Sequence, residues 1–277
     1  EGRKMNGKLY IVATPIGNLD DMTVRAVETL RSADVIAAED TRQTAKLLNR
    51  FDIHTKLMSF HKYSAESREE KLLELLREGK NVALVSDAGT PIISDPGDTL
   101  VRRAAEEGID AVPVPGACAA ISALTVSAIS AERFVFFGFL PKEKQEYKSA
   151  VLEVAACRMT AVVYESPHRL RETLEAFANE MGERRVALCK ELTKIHETIF
   201  RGTAAQILAM LPEGEVKGEY VIVVEGATAV DAAVTDEMIE ACIRQYAAEG
   251  CTNKKAVVNT ALKLGVSKNR VYKISLK

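Results

Sequence analysis

A short apolar segment in the first third of the chain is followed by a loop rich in polar residues, glycine and proline. Residues 82–85 read Val-Ala-Leu-Val, and residues 86–97 read Ser-Asp-Ala-Gly-Thr-Pro-Ile-Ile-Ser-Asp-Pro-Gly. The apolar run lacks polar alternation, which predicts a strand buried on both faces. Open α/β sheets hold their ligands at the carboxyl ends of such strands, and proline restricts the backbone. We therefore expect this loop to cradle a ligand.

A second segment concentrates ionisable side chains. Residues 190–197 read Lys-Glu-Leu-Thr-Lys-Ile-His-Glu and begin at the end of a predicted strand. Carboxylate, imidazole and amine groups can each accept or release a proton during catalysis. This segment is therefore a candidate source of a general acid or base.

Alternating strands and helices are predicted to position the first loop. This alternation is typical of a mainly parallel sheet with crossover helices. The predicted strands are Leu9–Ala13, Val35–Ala37, Lys56–Phe60, Val82–Val85 and Ala111–Val114. The predicted helices are Thr23–Ser32, Thr41–Arg50, Ala65–Glu78 and Asp98–Glu107. Asp20 or Asp21 is expected to cap the first of these helices.

The pattern changes in the following segment, where several strands succeed one another without a long crossover. This indicates a mixed sheet with antiparallel pairs. Its predicted strands are Phe134–Phe137, Ala161–Tyr164, Arg185–Lys190, Glu197–Phe200 and Tyr220–Glu225. Its predicted helices are Ala117–Ala128, Lys144–Ala156, Pro167–Met181 and Thr203–Leu211.

Together these patterns predict an α/β fold with two α/β lobes and a small C-terminal helical domain. We place the first lobe at residues 1–115, the second at 116–226, a linker at 227–235 and the helical domain at 236–277. The helical domain is expected to contain three short helices, Asp236–Glu249, Asn253–Leu264 and Ser267–Leu276.

Composition narrows the class of protein. The 277 residues are 47% hydrophobic and carry a net charge of −2, without an apolar run of the roughly 18 residues that span a bilayer. The five cysteines are scattered, with no paired spacing, which favours reduced thiols over disulfides or a metal site. We expect a cytoplasmic protein without membrane association. Asp87, Asp95 and Asp98 could ligate magnesium. However, the prolines and the glycine between them favour a loop of fixed shape over a metal site.

The C-terminal segment is strongly basic. Residues 251–277 contain seven Lys or Arg and no Asp or Glu. Such a cationic tail on an acidic body predicts a polyanionic partner such as nucleic acid. Its pattern resembles a helix-turn-helix, with Ala256, Val257, Ala261 and Leu264 on the core face and Ser267 capping the last helix.

Four ordered motifs resemble one family. They are Val-Ala-Thr-Pro-Ile-Gly-Asn-Leu-Asp-Asp at 12–21, Ala-Glu-Asp-Thr-Arg at 38–42, Ser-Asp-Ala-Gly-Thr-Pro at 86–91 and Tyr-Glu-Ser-Pro-His-Arg at 164–169. They are similar to the small-subunit ribosomal RNA methyltransferases of the tetrapyrrole methylase superfamily. The resemblance implies two α/β lobes with S-adenosylmethionine in the cleft, and methylation of the ribose 2′-oxygen of a cytidine in the decoding centre of 16S rRNA. It also implies a homodimer that acts on 16S rRNA or the small ribosomal subunit.

The resemblance also implies which residues bind the cofactor. Cys118 stands where the family loop Pro-Gly-x-Ser-Ala has serine, and a thiol is a weaker hydrogen-bond donor. The implied cofactor-binding residues are Pro15, Ile16, Gly17, Ser86, Asp87, Gly89, Thr90, Ala117, Cys118, Ala119, Tyr164, Glu165, Gly218 and Glu219.

A ribose 2′-hydroxyl is weakly acidic, so the implied reaction benefits from a general base. The candidates lie at or near predicted strand ends, and they are Glu39, His61, Lys190, Glu191 and His196. Each has a structural alternative; Glu39 and Asp40, for example, are suited to cap the helix that begins at Thr41.

Basic residues of the motifs and of the tail are candidate RNA contacts. They are Arg42, Arg169, Lys254, Lys255, Lys268, Arg270 and Lys273. The residues alone leave two other functions open. A methylase of a small tetrapyrrole would not need the cationic tail, and a nucleic-acid-binding regulator would leave the special loops of the lobes without a role.

Overall fold

The computed structural model describes residues 6–60, 65–228 and 234–276. They fall into two compact units, Glu1–Ala119 and Ala120–Lys277. The division lies a few residues after the predicted end of the first lobe. The C-terminal helices group with the second unit, so their status as a separate domain stays a prediction, as does the linker, part of which is outside the described residues.

The first unit contains five strands that alternate with helices. The strands are β1 (Leu9–Val12), β2 (Val35–Ala38), β3 (Lys56–Ser59), β4 (Val82–Val85) and β5 (Ala111–Val114). The helices are α1 (Val24–Ser32), α2 (Thr41–Arg50), α3 (Ala65–Arg77) and α4 (Asp98–Glu106). Each agrees with the sequence prediction to within one residue at either end.

The sheet of the first unit has the order β3-β2-β4-β1-β5, and all its pairs are parallel. Every residue of β4 is buried, as its unbroken apolar run predicts, and every residue of β2 is buried as well. Because all strands point the same way, the loops after β1, β2, β4 and β5 emerge at one edge of the sheet. The loop expected to hold a ligand lies at this edge.

The helix caps correct one prediction. Thr23, rather than Asp20 or Asp21, is the N-cap of α1, and its hydroxyl accepts a hydrogen bond from the Ala26 amide. The two aspartates lie in a separate turn of 3₁₀-helix, Leu19–Asp21, that Asn18 caps. Asp40 caps α2, as its place before Thr41 indicates.

The second unit has a five-stranded mixed sheet of order β6-β7-β10-β8-β9. Its strands are β6 (Phe134–Phe139), β7 (Thr160–Glu165), β8 (Arg185–Lys190), β9 (Thr198–Thr203) and β10 (Tyr220–Val224). Only β6 and β7 pair in parallel among these neighbours, so the predicted antiparallel pairs are confirmed. The helices are α5 (Ala119–Val126), α6 (Lys144–Ala156), α7 (Leu170–Met181) and α8 (Ala204–Met210).

Three short helices complete the second unit: α9 (Asp236–Ala248), α10 (Asn253–Leu264) and α11 (Lys268–Ser275). They share a small core that includes Ile239, Val257 and Val271. Gly265 ends α10 in the left-handed conformation, and the Ser267 hydroxyl caps α11, as predicted. Across the part of the chain that the structure describes, none of the helices is both long and apolar enough to cross a membrane.

Candidate functional site

Hydrogen bonds join three loops at the carboxyl edge of the first sheet. Thr14, after β1, exchanges two main-chain hydrogen bonds with Gly89, after β4, at 2.9 and 3.0 Å. The Thr14 hydroxyl also donates to the Ser86 carbonyl at 3.2 Å, and the Thr90 hydroxyl donates to the Ala117 carbonyl, after β5, at 3.0 Å. We call residues 14–17, 86–90 and 115–118 the loop cradle.

Two glycines allow the loops of the cradle to approach one another. Gly89 has φ +85°, and a Cβ there would lie 3.1 Å from Cγ2 of Ile16. A Cβ on Gly116 would lie 2.9 Å from Cβ of Ala13, closer than side chains tolerate. Glycine is therefore favoured at both positions for a geometric reason.

The edge of the sheet that holds the cradle carries negative charge. The exposed carboxylate of Asp87 accepts a hydrogen bond from the Asp40 amide at 3.0 Å. Burial, together with the negative charges of Glu39 and Asp87, raises the pKa of Asp95 to about 6, although a hydrogen bond from Ser86 opposes this. In contrast, hydrogen bonds from Arg42 hold the pKa of Asp40 at about 2. The edge thus favours a ligand that carries positive charge.

The structure brings together most of the predicted cofactor residues of the first unit. Pro15, Ile16, Ser86 and Gly89 are buried in the cradle, whereas Gly17 and Asp87 are exposed at its surface. Thr90, Ala117, Cys118 and Ala119 are half-buried. Sequence reasoning missed Thr14, which joins two of the loops, because its partner Gly89 is distant along the chain. In the ranges that the structure describes, no group of three or more His, Cys, Asp or Glu side chains could hold a metal ion.

Glu165, a predicted cofactor residue, lies in a buried polar network of the second unit. Its side chain accepts hydrogen bonds from the Ser166 amide at 2.7 Å and the Thr173 hydroxyl at 2.7 Å, and it pairs with Arg169 at 3.1 Å. The Arg169 guanidinium also donates to the carbonyls of Leu140 and Pro141, at 2.8 Å each. Both side chains therefore organise the end of β7.

Tyr164, the neighbouring predicted residue, supports the start of α5. Its hydroxyl accepts a hydrogen bond from the Ala120 amide at 3.1 Å. Its ring meets Phe136 and Phe139 edge to face, with ring centroids 4.8 and 5.5 Å apart. Tyr164 is thus held by aromatic packing on one side and by a helix N-terminus on the other.

The segment rich in ionisable groups forms a clamped turn between β8 and β9. Nζ of Lys194 lies 2.9 Å from Oε1 of Glu191 and 2.9 Å from Oε2 of Glu219. The Glu219 amide donates to Oε1 of Glu191 at 2.8 Å, and the Glu191 amide donates back to the Glu219 carbonyl at 2.9 Å. We call Glu191, Lys194, Gly218 and Glu219 the lysine clamp.

Close packing and backbone strain mark the lysine clamp. Gly218 has φ +113°, and a Cβ there would lie 2.9 Å from Cγ of Glu191. Glu191 and Thr193 also have positive φ, at 52° and 66°, which is rare for residues with a side chain. Burial acts to raise the pKa of Glu191, but hydrogen bonds from Lys194 and the Glu219 amide outweigh it and lower the pKa. Strain of this kind is concentrated at functional sites.

The structure places the candidate bases in different surroundings. Glu39 is half-buried at the end of β2, Lys190 is half-buried at the end of β8, and His196 is exposed in the turn after it. Glu191 belongs to the lysine clamp. His61 lies outside the described residues.

The candidate RNA contacts also differ. Lys254, Lys255 and Lys268 are exposed on the C-terminal helices. Arg42 is 88% exposed and pairs with Asp40, whereas Arg169 is engaged inside the second unit. Arg270 pairs with Asp236 at 3.0 Å, and Nζ of Lys273 lies 3.9 Å from Glu180.

Comparison with known proteins identifies the family to which this chain belongs. The sequence profile described as "Tetrapyrrole (Corrin/Porphyrin) Methylases" matches residues 8–208, and the chain belongs to this family. The fold is similar to that of a diphthine synthase (TM-score 0.63, 13% identity, 79% of this chain and 90% of that one). It is also similar to that of a cobalt precorrin-4 methyltransferase (TM-score 0.58, 19% identity, 79% of this chain and 94% of that one). The predicted fold class is therefore confirmed.

Curated relatives match nearly the whole chain and carry one name, Ribosomal RNA small subunit methyltransferase I. The protein of Halalkalibacterium halodurans is 46% identical over 98% of this chain and 96% of its own length. The protein of Bacillus subtilis is 43% identical over 98% and 94%, and that of Escherichia coli O157:H7 is 44% identical over 98% and 95%. The resemblance seen in the motifs is confirmed. Methyltransferases of this family use S-adenosylmethionine, which confirms the expected cofactor.

Proposed function

We propose that this chain transfers a methyl group from S-adenosylmethionine to the ribose 2′-oxygen of a cytidine in 16S rRNA. The observation that carries the proposal is the 46% identity, over almost the full length of both proteins, to a relative named for methylation of small-subunit ribosomal RNA. The basic C-terminal helices support an RNA substrate, because exposed lysines bind phosphate groups. The proposal includes action on 16S rRNA or the small subunit, as a cytoplasmic homodimer.

The loop cradle fits the proposed cofactor. S-adenosylmethionine bears a sulfonium and an ammonium group, and the carboxylates of Asp87 and Asp95 supply opposite charge beside the cradle. When bound, the cofactor supplies a methyl group on a positively charged sulfur. In the first unit, Pro15, Ile16, Gly17, Ser86, Asp87, Gly89, Thr90, Ala117, Cys118 and Ala119 would hold it.

In the second unit, the proposal assigns Tyr164, Glu165, Gly218 and Glu219 to the same cofactor. Their supporting contacts are those of the Glu165 network and the lysine clamp. Such rigid placement suits a displacement reaction, in which aligned reactants can gain about 7–11 kcal/mol over free ones. The protein's main contribution in this proposal is alignment.

The proton of the acceptor hydroxyl must pass to a base. Glu191 is poorly suited to this role, because Oε1 already accepts hydrogen bonds from Lys194 and from the Glu219 amide. Those bonds stabilise its charged form and lower its pKa, which makes it a weaker base. The proposal therefore assigns the role to one of Glu39, His61, Lys190 and His196.

The test uses purified protein, small ribosomal subunits from a strain that lacks this modification, and S-adenosylmethionine with an isotope-labelled methyl group. Mass spectrometry of 16S rRNA fragments should find one labelled cytidine, with the label on the ribose. Asp87→Asn should abolish most labelling, whereas Asp98→Asn, the same change at a nearby exposed carboxylate, should label as the unaltered protein does.

Two results would overturn the proposal. Label on a base would contradict 2′-oxygen methylation. Unlabelled rRNA, with label transferred instead to an added tetrapyrrole, would favour the alternative methylase.

A further inference from the structure

The C-terminal helices and two helices that flank the second sheet line an open groove of about 610 Å³. It lies within the second unit, bounded by α6, α7, the turn before α11 and α11 itself. We call it the C-terminal groove. This volume falls within the range of about 300–1,000 Å³ that small-molecule sites occupy.

Contacts between α7 and α11 form the groove. Nδ2 of Asn269 donates a hydrogen bond to Oε1 of Glu180 at 3.2 Å, and Nζ of Lys273 lies 3.9 Å from the same oxygen. Glu180 is the penultimate residue of α7, a well-packed helix that ends at Met181, so α11 is anchored to a rigid element. The shape of the groove is therefore fixed by side-chain contacts between these two helices.

The charged lining of the groove is mainly basic. Four basic side chains line it, Arg158, Arg184, Arg270 and Lys273, against two acidic ones, Glu180 and Asp236. Arg270 pairs with Asp236, and Lys273 lies near Glu180, so each acid has a basic neighbour. Arg158 is exposed and makes no ion pair with any residue inside the described ranges. It supplies positive charge that the two acids do not balance.

The uncharged lining is mainly apolar. Leu152 of α6 is 41% exposed, and Met181 and Ile274 lie on the facing helices. The turn that carries Ser267 also lines the groove, so the N-terminus of α11 adds partial positive charge. An apolar surface beside cationic groups suits a nucleobase that is attached to a phosphate.

We propose that the C-terminal groove binds a phosphodiester segment of the substrate RNA, with a phosphate at Arg158 and Lys273 and a base against Leu152. This inference rests on the proposed function and extends it. It adds Arg158, which lies in neither the sequence motifs nor the basic tail, to the RNA-binding surface. The proposal also gives a role to the anchoring of the basic helix α11 against α7. The anchoring brings basic side chains from two distant parts of the sequence to one groove.

The test measures the affinity for unmodified small ribosomal subunits by sedimentation, at several KCl concentrations and constant magnesium. Arg158→Gln should weaken binding severalfold and reduce the slope of log K against log salt by about 0.7, the value for one phosphate contact. Arg133→Gln is the matched control, because Arg133 is an exposed arginine of the same unit outside the groove. It should leave both affinity and slope unchanged.

A second variant places a negative charge in the groove. Ala156 is exposed in the lining at the end of α6, so Ala156→Glu should weaken binding more than Arg158→Gln does. Calorimetry should show unchanged uptake of S-adenosylmethionine by every variant. Intact methylation with equal slopes for Arg158→Gln and Arg133→Gln would overturn the groove alone. Failure of the unaltered protein to bind subunits or methylate rRNA would overturn the proposed function, and the groove proposal with it.

Discussion

The main-chain N–H of Asp40 donates a hydrogen bond to Oδ1 of Asp87 over 3.0 Å. Asp40 caps α2 after strand β2, and Asp87 follows β4, so this bond joins the ends of two neighbouring strands. It orients the exposed carboxylate of Asp87 at the edge where the loops of the cradle meet. Asp87 is thus positioned by the backbone of another loop.

Gly89→Ala should destabilise the protein by about 2–3 kcal/mol. Positive φ costs a residue with Cβ about 1–2 kcal/mol, and the new Cβ would also press on Cγ2 of Ile16, 3.1 Å away. Urea denaturation measures the change in the free energy of unfolding. Calorimetry should also show weaker binding of S-adenosylmethionine, since Ile16 belongs to the cradle.

The control for this prediction is Gly108→Ala. Gly108 has φ +68°, and a Cβ there would meet nothing within 4 Å. This variant should show only the backbone cost, about 1 kcal/mol, with unchanged cofactor binding. Equal losses in the two variants would show that the contact with Ile16 has no effect.

Asp95→Asn should remove a pH dependence of stability. Burial first, and then the charges of Glu39 and Asp87, raise the pKa of Asp95 from 3.8 to about 6 in the folded protein. The folded state therefore binds more protons than the unfolded state between about pH 4 and 6, and the free energy of unfolding falls as pH rises through this window. Because Asp95 is half-buried, solvent screens the effect to about 1 kcal/mol.

At pH 7, Asp95→Asn should therefore be the more stable protein by about 1 kcal/mol, and the difference should disappear near pH 4. Urea denaturation at a series of pH values measures this. A loss of stability at pH 7 would contradict the repulsion among these carboxylates.

Glu165→Gln should destabilise the second unit by about 2–4 kcal/mol. The Glu165 side chain is fully buried, and its loss of charge would leave the Arg169 guanidinium without its carboxylate partner. Chemical denaturation followed by circular dichroism reports the change. Glu175→Gln, the same change at an exposed position on the neighbouring helix α7, should change stability by less than about 0.5 kcal/mol. A fully stable Glu165→Gln protein would show that the network has no structural role.

Lys194→Met should cost about 1–2 kcal/mol at pH 7, because Glu191 and Glu219 would lose the amine that both contact. The lowered pKa of Glu191 contributes stability above its ordinary value of 4.5, and this is lost as pH falls through the folded value. The deficit of the variant should therefore shrink in acid. Lys217→Met, at an exposed neighbour, should be neutral at both pH values. A deficit independent of pH would contradict an electrostatic clamp.

Local patterns predicted most strands well, and β4 illustrates why. Val82–Val85 is apolar throughout and is bounded by polar loops, so its ends are marked in the sequence itself. Strand β6 was predicted to end at Phe137 but continues to Phe139, because a bulge between Phe136 and Gly138 shifts the register and extends the pairing with β7. Such an extension depends on the partner strand.

The candidate site was only partly predictable, for a similar reason. The motif at 86–91 and the clustered charges at 190–197 identified the segments. The spacing of Glu165 and Arg169 permits a pair, but their inward orientation depends on carbonyls of Leu140 and Pro141, which come from another part of the chain. Thr14 and Lys194 took their roles from tertiary contacts in the same way.

The strand order β3-β2-β4-β1-β5 has a consequence for synthesis on the ribosome. Strand β4 lies between β1 and β2, so neither of them can pair with β4 until residue 85 has been synthesised. Synthesis proceeds at roughly 5–20 residues per second, so the apolar β2 lacks its partner β4 for several seconds after β2 itself has been synthesised. Nascent chains of this protein should therefore engage chaperones until β4 emerges, and slower translation between β2 and β4 should increase aggregation.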